Sequence, residues 1–395
     1  MHQNILKNKT KIITVMSKKK YKIIFTGGGT GGHVFPLVAI IRELKKIMVD
    51  ENLDIFYIGP NDKISKEYIA KEKVNIKYIH SGKIRRYSSG LLQNIVDVLF
   101  KIPLGVIQSF FYIFVISPDL IFSKGGYGSL PVVLMAKLFQ VPVILHESDA
   151  ILGGSNQFLQ KLSTEVFVSF ANTEKTDPKK IFVVGNPIRK ELINGSKEKG
   201  REVFKISSEK PVLLIIGGSQ GSERINELFL SAITGFLNDF EVIHQCGENN
   251  YKKVYTESQA LLSKEEHKRS YHPYSFFNEE QLKNAYAIAD LIISRAGSGS
   301  IFEIAANGKA SVLLPLPEAA QNHQVKNAYT YASSRAGIVL EQENLSSNFF
   351  LSKIKELFSP IEQIKNMEVN AKEFSRIRAA FIIATYIKEY LIREK

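Results

Sequence analysis

Short apolar runs alternate with amphipathic stretches along the whole chain. The runs are rich in β-branched residues and end at glycine or proline, which is typical of buried strands. They read YKIIFTG, LDIFYIG, IKYIH, DLIFSKGG, VPVILHES, EVFVSF and KIFVVGNP in the first half, then PVLLIIGGS, FEVIHQCG, DLIISRAG, ASVLLPLP and AGIVLEQ in the second. Near-continuous runs separated by helical patterns indicate parallel strands in βα units. Each half opens with strand, glycine-rich turn and helix, so we predict an α/β protein with two Rossmann-like domains in tandem.

The chain has 395 residues, which is long enough for two domains. We predict an N-terminal domain over 21–188 and a second domain over 189–372, with the boundary at GNPIRKEL, where an X-Pro pair follows a strand. Residues 373–395 read as one long helix, which we expect to pack back on the first domain. Residues 1–20 hold six lysines and are expected to form a basic disordered tail, within which Met16 resembles an alternative start.

The net charge of +13 is concentrated in the first half. Residues 1–188 hold 25 Lys and Arg against 14 Asp and Glu, whereas the remainder holds 27 against 25. A basic half suits an anionic partner such as phosphate, membrane lipid or nucleic acid, although a solvated lysine-rich surface would look the same. No recognised nucleic-acid motif accompanies the charge, so we expect no nucleic-acid partner. The single cysteine, Cys246, excludes a disulfide framework and fits a cytosolic compartment.

The first glycine-rich turn reads TGGGTGGHVFP and lies between a strand and a helix. Gly27, Gly29 and Gly32 match GxGxxG, a pattern that brings backbone amides and a helix N-terminus close to phosphate. A dinucleotide site would also need an acid at the end of the second strand. That strand ends YIGPND, with Asp62 four positions past Ile58, which counts against NAD or FAD. No P-loop pattern is present, and a tight turn without a ligand is the alternative.

Three further stretches carry the same kind of chemistry. SKGGYGSLP is a second glycine turn, and GGSQGSERIN offers a serine hydroxyl and successive amides that could cradle a diphosphate. SRAGSGSIFEIAANG places Glu303 in the first helical turns after Gly297, where a carboxylate can accept two ribose hydroxyls. A helix-capping acid is the alternative for Glu303.

Taken together, these stretches resemble the MurG family. GGGTGGHVFP, GGY.S.P, P.(I/V)LHE, GNP(I/V)R, GGSQG and EIAA.G....L.P.......HQ..NA occur in that family's order and spacing, from about Lys22 to Ala328. The resemblance implies the GT-B fold, in which two Rossmann-like domains face a cleft. It also implies an inverting glycosyltransferase that moves GlcNAc from UDP-GlcNAc to the MurNAc 4-hydroxyl of lipid I, a polyprenyl-diphosphate-linked sugar peptide, giving lipid II. Neither a metal ion nor a cofactor is implied.

The resemblance further implies a donor site, supplied mostly by the second domain. Arg189 and Ser219 would meet the diphosphate, and Glu303 would hold the ribose. The expected neighbours of the rest of the donor are Ser298, Gly299 and Ser300 near the ribose, backbone at Phe277 near the uracil, and His323 and Gln324 at the GlcNAc hydroxyls. Thr30, Gly31 and Gly32 of the first turn could also touch the donor sugar across a closed cleft.

The first domain is expected to take the acceptor, with Thr30, Gly31 and Gly32 facing its diphosphate. His33 is the candidate general base, because a helix N-terminus disfavours the imidazolium cation and keeps the ring neutral. It could instead be a hydrogen-bonding residue of the helix start. Tyr127 is a candidate acceptor contact or a structural residue. The sequence HESD stands where the family typically reads HEQN, so Asp149 replaces an amide; its carboxylate would repel diphosphate but could accept a sugar hydroxyl or act as a base.

A lipid acceptor requires docking at the membrane. Lys83, Arg85 and Arg86 precede an apolar stretch over 91–116, a combination that suits an anionic bilayer surface. The stretch is long enough to cross a membrane, but an acid, a lysine and a proline interrupt it. We therefore predict two helices with one face in the domain core and a short exposed patch, at the cytoplasmic face of the bacterial cell membrane. Core helices alone are the alternative.

Two other classes of function compete with this one. One is another GT-B enzyme that uses a UDP-sugar, such as a diacylglycerol glycosyltransferase or a UDP-GlcNAc 2-epimerase. The other is a non-catalytic membrane scaffold that binds a nucleotide sugar. The donor half does not separate these enzymes, whereas GGTGGHVFP and the GGY element favour MurG. The joint presence of His33, Arg189, Glu303 and Gln324 argues against a scaffold.

Overall fold

The structure is a computed structural model that describes residues 20–49, 52–82, 97–218, 221–343 and 345–393. Within these ranges the chain forms two parallel sheets, each with apolar clusters on both of its faces. The expected α/β organisation in two sheets is therefore observed. Ser219, the predicted membrane cations Lys83, Arg85 and Arg86, and the predicted tail up to residue 19 lie outside the described residues.

Thirteen strands are present in the described residues. They are β1 Tyr21–Thr26, β2 Leu53–Pro60, β3 Asn75–Ile79, β4 Leu120–Ser123, β5 Val143–Glu147, β6 Glu165–Val168, β7 Ile181–Val183, β8 Val212–Ile216, β9 Glu241–Gln245, β10 Tyr271–Tyr274, β11 Leu291–Ser294, β12 Ser311–Leu313 and β13 Gly337–Val339.

The α-helices mostly connect one strand to the next. They are α1 Gly31–Ile47, α2 Ile102–Ile116, α3 Leu130–Leu138, α4 Gly154–Leu159, α5 Lys197–Phe204, α6 Glu223–Leu230, α7 Ile233–Asp239, α8 Tyr251–Leu261, α9 Glu265–Arg269, α10 Glu279–Ile288, α11 Ser298–Ala306, α12 His323–Ala332, α13 Ser347–Phe358, α14 Ile361–Phe374 and α15 Ala379–Arg393. Single turns of π-helix (Ser65–Ile69 and Asp97–Lys101) and of 3-10 helix (Lys190–Leu192 and Ala320–Asn322) complete the described helices.

Strand order decides where the glycine turns lie. The first sheet runs β3-β2-β1-β4-β5-β6-β7 and the second runs β10-β9-β8-β11-β12-β13, with every neighbouring pair parallel. The order reverses between β1 and β4 and again between β8 and β11, and such a reversal opens a crevice at the carboxyl ends of the strands. All four turns singled out in the sequence follow one of these four strands. Each sheet therefore brings two of them to its crevice.

Helix α1 shows how the chain holds such a turn in place. Its apolar residues recur at helical spacing and are completely buried, as at Val34, Leu37, Ile41 and Leu44. Each such side chain contributes roughly 1.5–3 kcal/mol on burial, so the helix axis is well determined. Thr30 precedes the helix in an extended conformation. The His33 and Val34 N–H groups donate to Thr30 O at 3.1 and 3.2 Å. The amides before them lie at the very start of the helix, where no preceding turn supplies an acceptor.

One strand does not follow the apolar pattern and was missed. β10 reads YHPY, with polar residues and a proline where a buried strand would carry β-branched residues. Among the described strands it lies at the edge of the second sheet and pairs only with β9. An edge strand tolerates Pro273, because the missing N–H costs no ladder hydrogen bond on the open side.

The apolar stretch of the first domain is one helical run over Asp97–Ile116, π-helical in its first turn. It is long and apolar enough to cross a membrane by length and composition, and most of its surface is exposed. Gly105, Ser109 and Ile113 are four residues apart, so they lie on one side of the helix. All three are buried, and this side therefore faces the domain. The opposite side exposes the apolar face, which consists of Leu99, Phe100, Ile107, Phe111, Phe114 and Val115.

The last helix returns to the first domain. α14 ends at Phe374 and α15 begins at Ala379, so the single helix expected from residue 373 is interrupted where the chain crosses between the domains. Arg376 lies in this crossing and packs on Gly185, where an added Cβ would come within 2.5 Å of Arg376 Cβ. Ile383, Ala384 and Ile387 then join the apolar cluster that includes α1.

This packing gives a stability prediction with a neighbouring control. Ile383 is fully buried between α15 and the first domain, whereas Ile382 is 44% exposed. Ile383→Ala should lower the free energy of unfolding by about 2–5 kcal/mol, because it leaves a cavity in the core. Ile382→Ala should change it by less than about 1 kcal/mol. Denaturant titration followed by circular dichroism measures both; equal losses would show that α15 does not pack as described.

Candidate functional site

His33 lies at the floor of the first crevice, in the first turn of α1. Its Nδ1 is 3.0 Å from Thr30 Oγ1. A Cβ added at Gly126, in the second glycine turn, would lie 3.1 Å from His33 Nε2, so the ring is held between the two turns. Burial, and next the charge of Lys124, lower the pKa of His33 to about 4. The ring is therefore neutral at neutral pH.

The second glycine turn is shaped by close approaches to the first. Gly29 has φ of +87°, and a Cβ there would come within 2.5 Å of Tyr127 Oη. Tyr127 thus lies directly against the first turn, consistent with either of its two proposed roles. The Gly29 N–H donates to Asp62 Oδ2 at 3.1 Å. Asp62, which the sequence offered only as an argument against a dinucleotide, fixes the conformation of the turn.

Asp149 takes part in a contact between the domains. Asn327 Nδ2 donates to Asp149 Oδ1 at 2.8 Å and to Ala296 O at 3.1 Å, while Asn327 Oδ1 accepts from the Ala150 N–H at 2.7 Å. Asn327 is completely buried. It belongs to α12, which also carries His323 and Gln324 at its start. The loop that holds Asp149 is thereby joined to the helix expected to read the donor sugar.

The second crevice contains unfilled space beside its glycines. A Cβ added at Gly218, Gly297 or Gly299 would meet no atom of the described residues within 4 Å. Gly218 and Gly221 flank residues 219–220 of the GGSQG turn, which lie outside the described ranges. Gly297 and Gly299 lie at the start of α11, together with Ser298 and Ser300. The amides at this helix start provide positive partial charge. The crevice is therefore a cradle that an anionic ligand could fill.

Arg189 and Glu303, both expected to contact the donor, pair with one another. Arg189 Nη2 is 3.3 Å from Glu303 Oε1, and Arg189 Nη1 is 3.2 Å from Glu279 Oε1. The guanidinium also stacks on the Phe35 ring at 4.0 Å, across the domain boundary. Tyr286 Oη donates to Glu303 Oε2 at 3.1 Å. A ligand that uses both Arg189 and Glu303 must exchange these contacts for its own.

The remaining donor candidates lie around the same crevice. The Phe277 ring is buried in an aromatic cluster. The backbone N–H of Phe277 donates to Gln245 Oε1 at 3.3 Å. Gln245 Nε2 in turn donates to Gly218 O at 3.1 Å, which links Phe277 to the GGSQG turn. Gln324 Oε1 accepts from the Leu316 N–H at 3.0 Å, which leaves its amide nitrogen to donate. His323 lies close enough to His33 to influence its pKa.

Two buried cations at the site were missed by the sequence reasoning. Lys124 follows β4 and is 1% exposed, and burial lowers its pKa to about 8. Arg295 follows β11, donates to Leu314 O at 3.2 Å, and has its pKa lowered to about 10 by burial. Both occupy the position directly after a strand at the reversal of strand order. This position could have identified them as site residues. Recognising it requires the order of strands in the sheet, which is not evident from the sequence.

No three His, Cys, Asp or Glu side chains in the described ranges lie close enough together to hold a metal ion. Every sequence-predicted site residue that the structure describes lies at one of the two crevices or at the junction between the domains. Their roles toward a ligand remain predictions.

Comparisons with known proteins assign the family. The chain matches the Glycosyltransferase family 28 N-terminal domain over residues 23–168 and the Glycosyltransferase family 28 C-terminal domain over residues 212–381. It is 38% identical over 361 residues to the UDP-N-acetylglucosamine–N-acetylmuramyl-(pentapeptide) pyrophosphoryl-undecaprenol N-acetylglucosamine transferase of Clostridium perfringens, covering 91% of this chain and 95% of the relative.

Solved structures share the fold. MurG of Acinetobacter baumannii superposes with a TM-score of 0.71 at 24% identity, covering 94% of this chain and all of the other. The UDP-GlcNAc 2-epimerase of Neisseria meningitidis, solved with UDP-GlcNAc bound, superposes with a TM-score of 0.64 at 16% identity, covering 94% of this chain and 100% of the other. At these identities the likeness concerns the fold, and it confirms the predicted GT-B architecture.

The two domains and their crevices define a glycosyltransferase of family 28. Within that class, the chain belongs to the MurG family, as the resemblance in the sequence predicted.

The contact made by Asn327 gives a prediction about domain closure. Asn327→Ala would leave the Ala150 N–H without its acceptor and the Asp149 carboxylate without a donor. Losing such a buried partner costs about 1–3 kcal/mol, so the free energy of unfolding should fall by that amount and the domains should separate. Asp149→Asn retains an Oδ1 acceptor and serves as the control. Small-angle X-ray scattering and denaturant titration test this, and an unchanged radius of gyration in Asn327→Ala would contradict it.

Proposed function

We propose that this chain transfers GlcNAc from UDP-GlcNAc to the MurNAc 4-hydroxyl of lipid I, giving lipid II and UDP. The observation that carries the proposal is the identity of 38% over nine-tenths of the chain to a transferase named for this reaction. An epimerase is less well supported, because the likeness to one concerns the fold at 16% identity. A scaffold is disfavoured by a neutral histidine between two glycine turns, which a purely binding protein would not need.

The donor occupies the second crevice in this proposal. The space beside Gly218, Gly297 and Gly299 supports a place for the diphosphate, with the α11 N-terminus and the GGSQG turn, including Ser219, around it. The diphosphate would take over Arg189, which frees the Glu303 carboxylate for the ribose hydroxyls. Backbone near Phe277 would meet the uracil, and His323 and the Gln324 amide would read the sugar hydroxyls.

The acceptor occupies the first crevice, with its diphosphate at Thr30, Gly31 and Gly32 and its sugar between Tyr127 and Asp149. His33 would act as the general base. If Nδ1 carries the ring proton and makes a hydrogen bond to Thr30 Oγ1, Nε2 is unprotonated and can accept the proton of the sugar hydroxyl. That nitrogen lies at the second turn, where the acceptor sugar is expected.

The chemical step is a single displacement. The acceptor 4-oxygen attacks C1 of GlcNAc from the face opposite UDP, the bond from C1 to the UDP oxygen breaks, and the proton of the hydroxyl passes to His33 Nε2. The leaving UDP carries the electron pair, and its developing charge is stabilised by helix N-terminal amides and by Arg189. The configuration at C1 is inverted. No residue of the chain forms a covalent intermediate in this scheme.

Membrane docking would place the enzyme beside its lipid substrate. The apolar face defined above supports this part of the proposal, because monomeric proteins rarely leave so many large apolar side chains exposed together. It lies on the domain assigned to the acceptor. We propose that this face enters the interface of the cytoplasmic leaflet while Lys83, Arg85 and Arg86 meet anionic head groups.

Transfer of labelled GlcNAc from UDP-GlcNAc to a short-chain lipid I analogue, with EDTA present, tests the reaction. We expect product, and His33→Ala should lower kcat by about 10²–10⁴ while UDP affinity stays nearly intact, because only proton transfer is lost. His267→Gln, at the far edge of the second sheet, is the control. If the wild-type chain binds UDP-GlcNAc tightly without forming product, the acceptor or the reaction class is wrong. Equal losses of kcat and UDP affinity in His33→Ala would assign His33 a structural part.

The apolar face generates a separate prediction for vesicle binding. Phe111→Ser combined with Phe114→Ser should lower the affinity for phosphatidylglycerol-containing vesicles, measured by sedimentation, at least about tenfold. Burial of each phenyl ring contributes roughly 1.5–3 kcal/mol to the free energy of binding. Phe349→Ser removes a ring that is 49% exposed on α13 of the second domain and should leave vesicle binding unchanged. Equal binding by both variants would exclude this face as the docking surface.

A further inference from the structure

Lys124 has an unusual position for a lysine. It directly follows β4, at the reversal of strand order in the first sheet, and it is 1% exposed. Its backbone N–H donates to Thr26 O at 2.8 Å, which ties the second glycine turn to the end of β1. Its ammonium donates to Ser148 Oγ, and that hydroxyl donates to Asn186 Oδ1 at 3.0 Å. The side chain thus runs beneath the crevice toward the junction of the domains.

Lys124 and His33 lie on either side of one glycine. A Cβ added at Gly27 would be 2.9 Å from Lys124 Cβ and 3.8 Å from His33 Cβ. The backbone of the first turn is therefore packed between the two side chains, and the buried Lys124 ammonium is close enough to the imidazole to influence its pKa. A charge in this position acts strongly, because little water is available to screen it.

Two carboxylates share the floor of the crevice with Lys124. Glu147 is 4% exposed and accepts from the Asp149 N–H, the Gly153 N–H and Asn156 Nδ2, at 3.0, 3.0 and 2.9 Å. Asp149 lies two residues further on and bonds to Asn327. Both carboxylates interact electrostatically with Lys124. Without the ammonium, the floor would present two negative groups to an anionic acceptor.

The geometry points to Lys124 as a positioning residue that acts through His33 and Asp149: its buried ammonium offsets the Glu147 and Asp149 carboxylates and disfavours the His33 imidazolium cation. Asp149 is then tolerated in place of the family's usual amide because Lys124 balances its charge. The expected effect on acceptor binding rests on the proposed function. The electrostatic effect of Lys124 on His33, Glu147 and Asp149 does not depend on that function.

The groups that face His33 act in opposite directions. Lys124, after β4, and His323, at the start of α12, favour the neutral ring, whereas Asp149, after β5, and Asp62, after β2, favour the cation. Lys124 also disfavours the cation of His146, at the end of β5. Removing Lys124 should therefore raise the pKa of His33, and removing the Asp149 charge should lower it.

Titration of histidine ring protons by NMR in the full-length chain tests this. Lys124→Met should raise the pKa of His33 by on the order of one unit, Asp149→Asn should lower it, and the double variant should lie near the wild type. Lys161→Met, at an exposed position of the same domain, is the control and should not move it. Asp149→Asn keeps its bond to Asn327, so its result stands even if Lys124→Met fails to fold. Shifts of the same sign, or none in either variant, would overturn the inference.

Transfer assays add a second readout. Lys124→Met should raise the KM for the lipid I analogue about tenfold, the order expected of one unit charge near a diphosphate, with the KM for UDP-GlcNAc unchanged. Asp149→Asn added to Lys124→Met should restore most of the loss. A loss that is equal for both substrates and not restored would mean a structural role for Lys124. If the wild type fails to transfer while the His33 shifts appear, the proposed reaction is wrong and the charge balance stands.

Discussion

The reversal of strand order in each parallel sheet is the constraint on which the rest of the structure depends. At β1 and β4, and at β8 and β11, neighbouring strands send their connections to opposite faces of the sheet, so the carboxyl ends are left uncovered. Glycine turns and helix N-termini lie at that gap. In the proposed reaction, two such crevices in one chain give each of the two diphosphate-bearing substrates a site of its own.

Residues expected to contact the ligands also join the two domains. Arg189 pairs with Glu303 and stacks on Phe35 of the first domain, while Asn327 joins α12 to the loop that carries Asp149. In the proposed reaction, ligand binding exchanges contacts at the junction itself. This arrangement gives a physical route from donor binding to the placement of the acceptor loop, since both use the same few side chains.

Much of the fold and part of the site could be predicted from local pattern. Buried strands can be predicted from their apolar runs. The described strand that was missed, β10, is an edge strand whose proline and polar residues do not form such a run. His33, Glu303 and Arg189 were found because they stand in motifs. Lys124 and Arg295 were not, since a single lysine or arginine after a strand acquires its meaning only from the neighbouring strands.

The sequence by itself determined the two-domain α/β class, the four glycine turns and the family, because apolar periodicity and short motifs are local properties. Only the tertiary structure decided that the four turns meet in pairs, that α15 returns to the first domain, and that Asp149 bonds to Asn327 across the junction. It also decided the charge state of His33, since burial and a neighbouring ammonium lower its pKa. Such features depend on contacts between residues that are far apart in the chain, and a local sequence pattern does not contain that information.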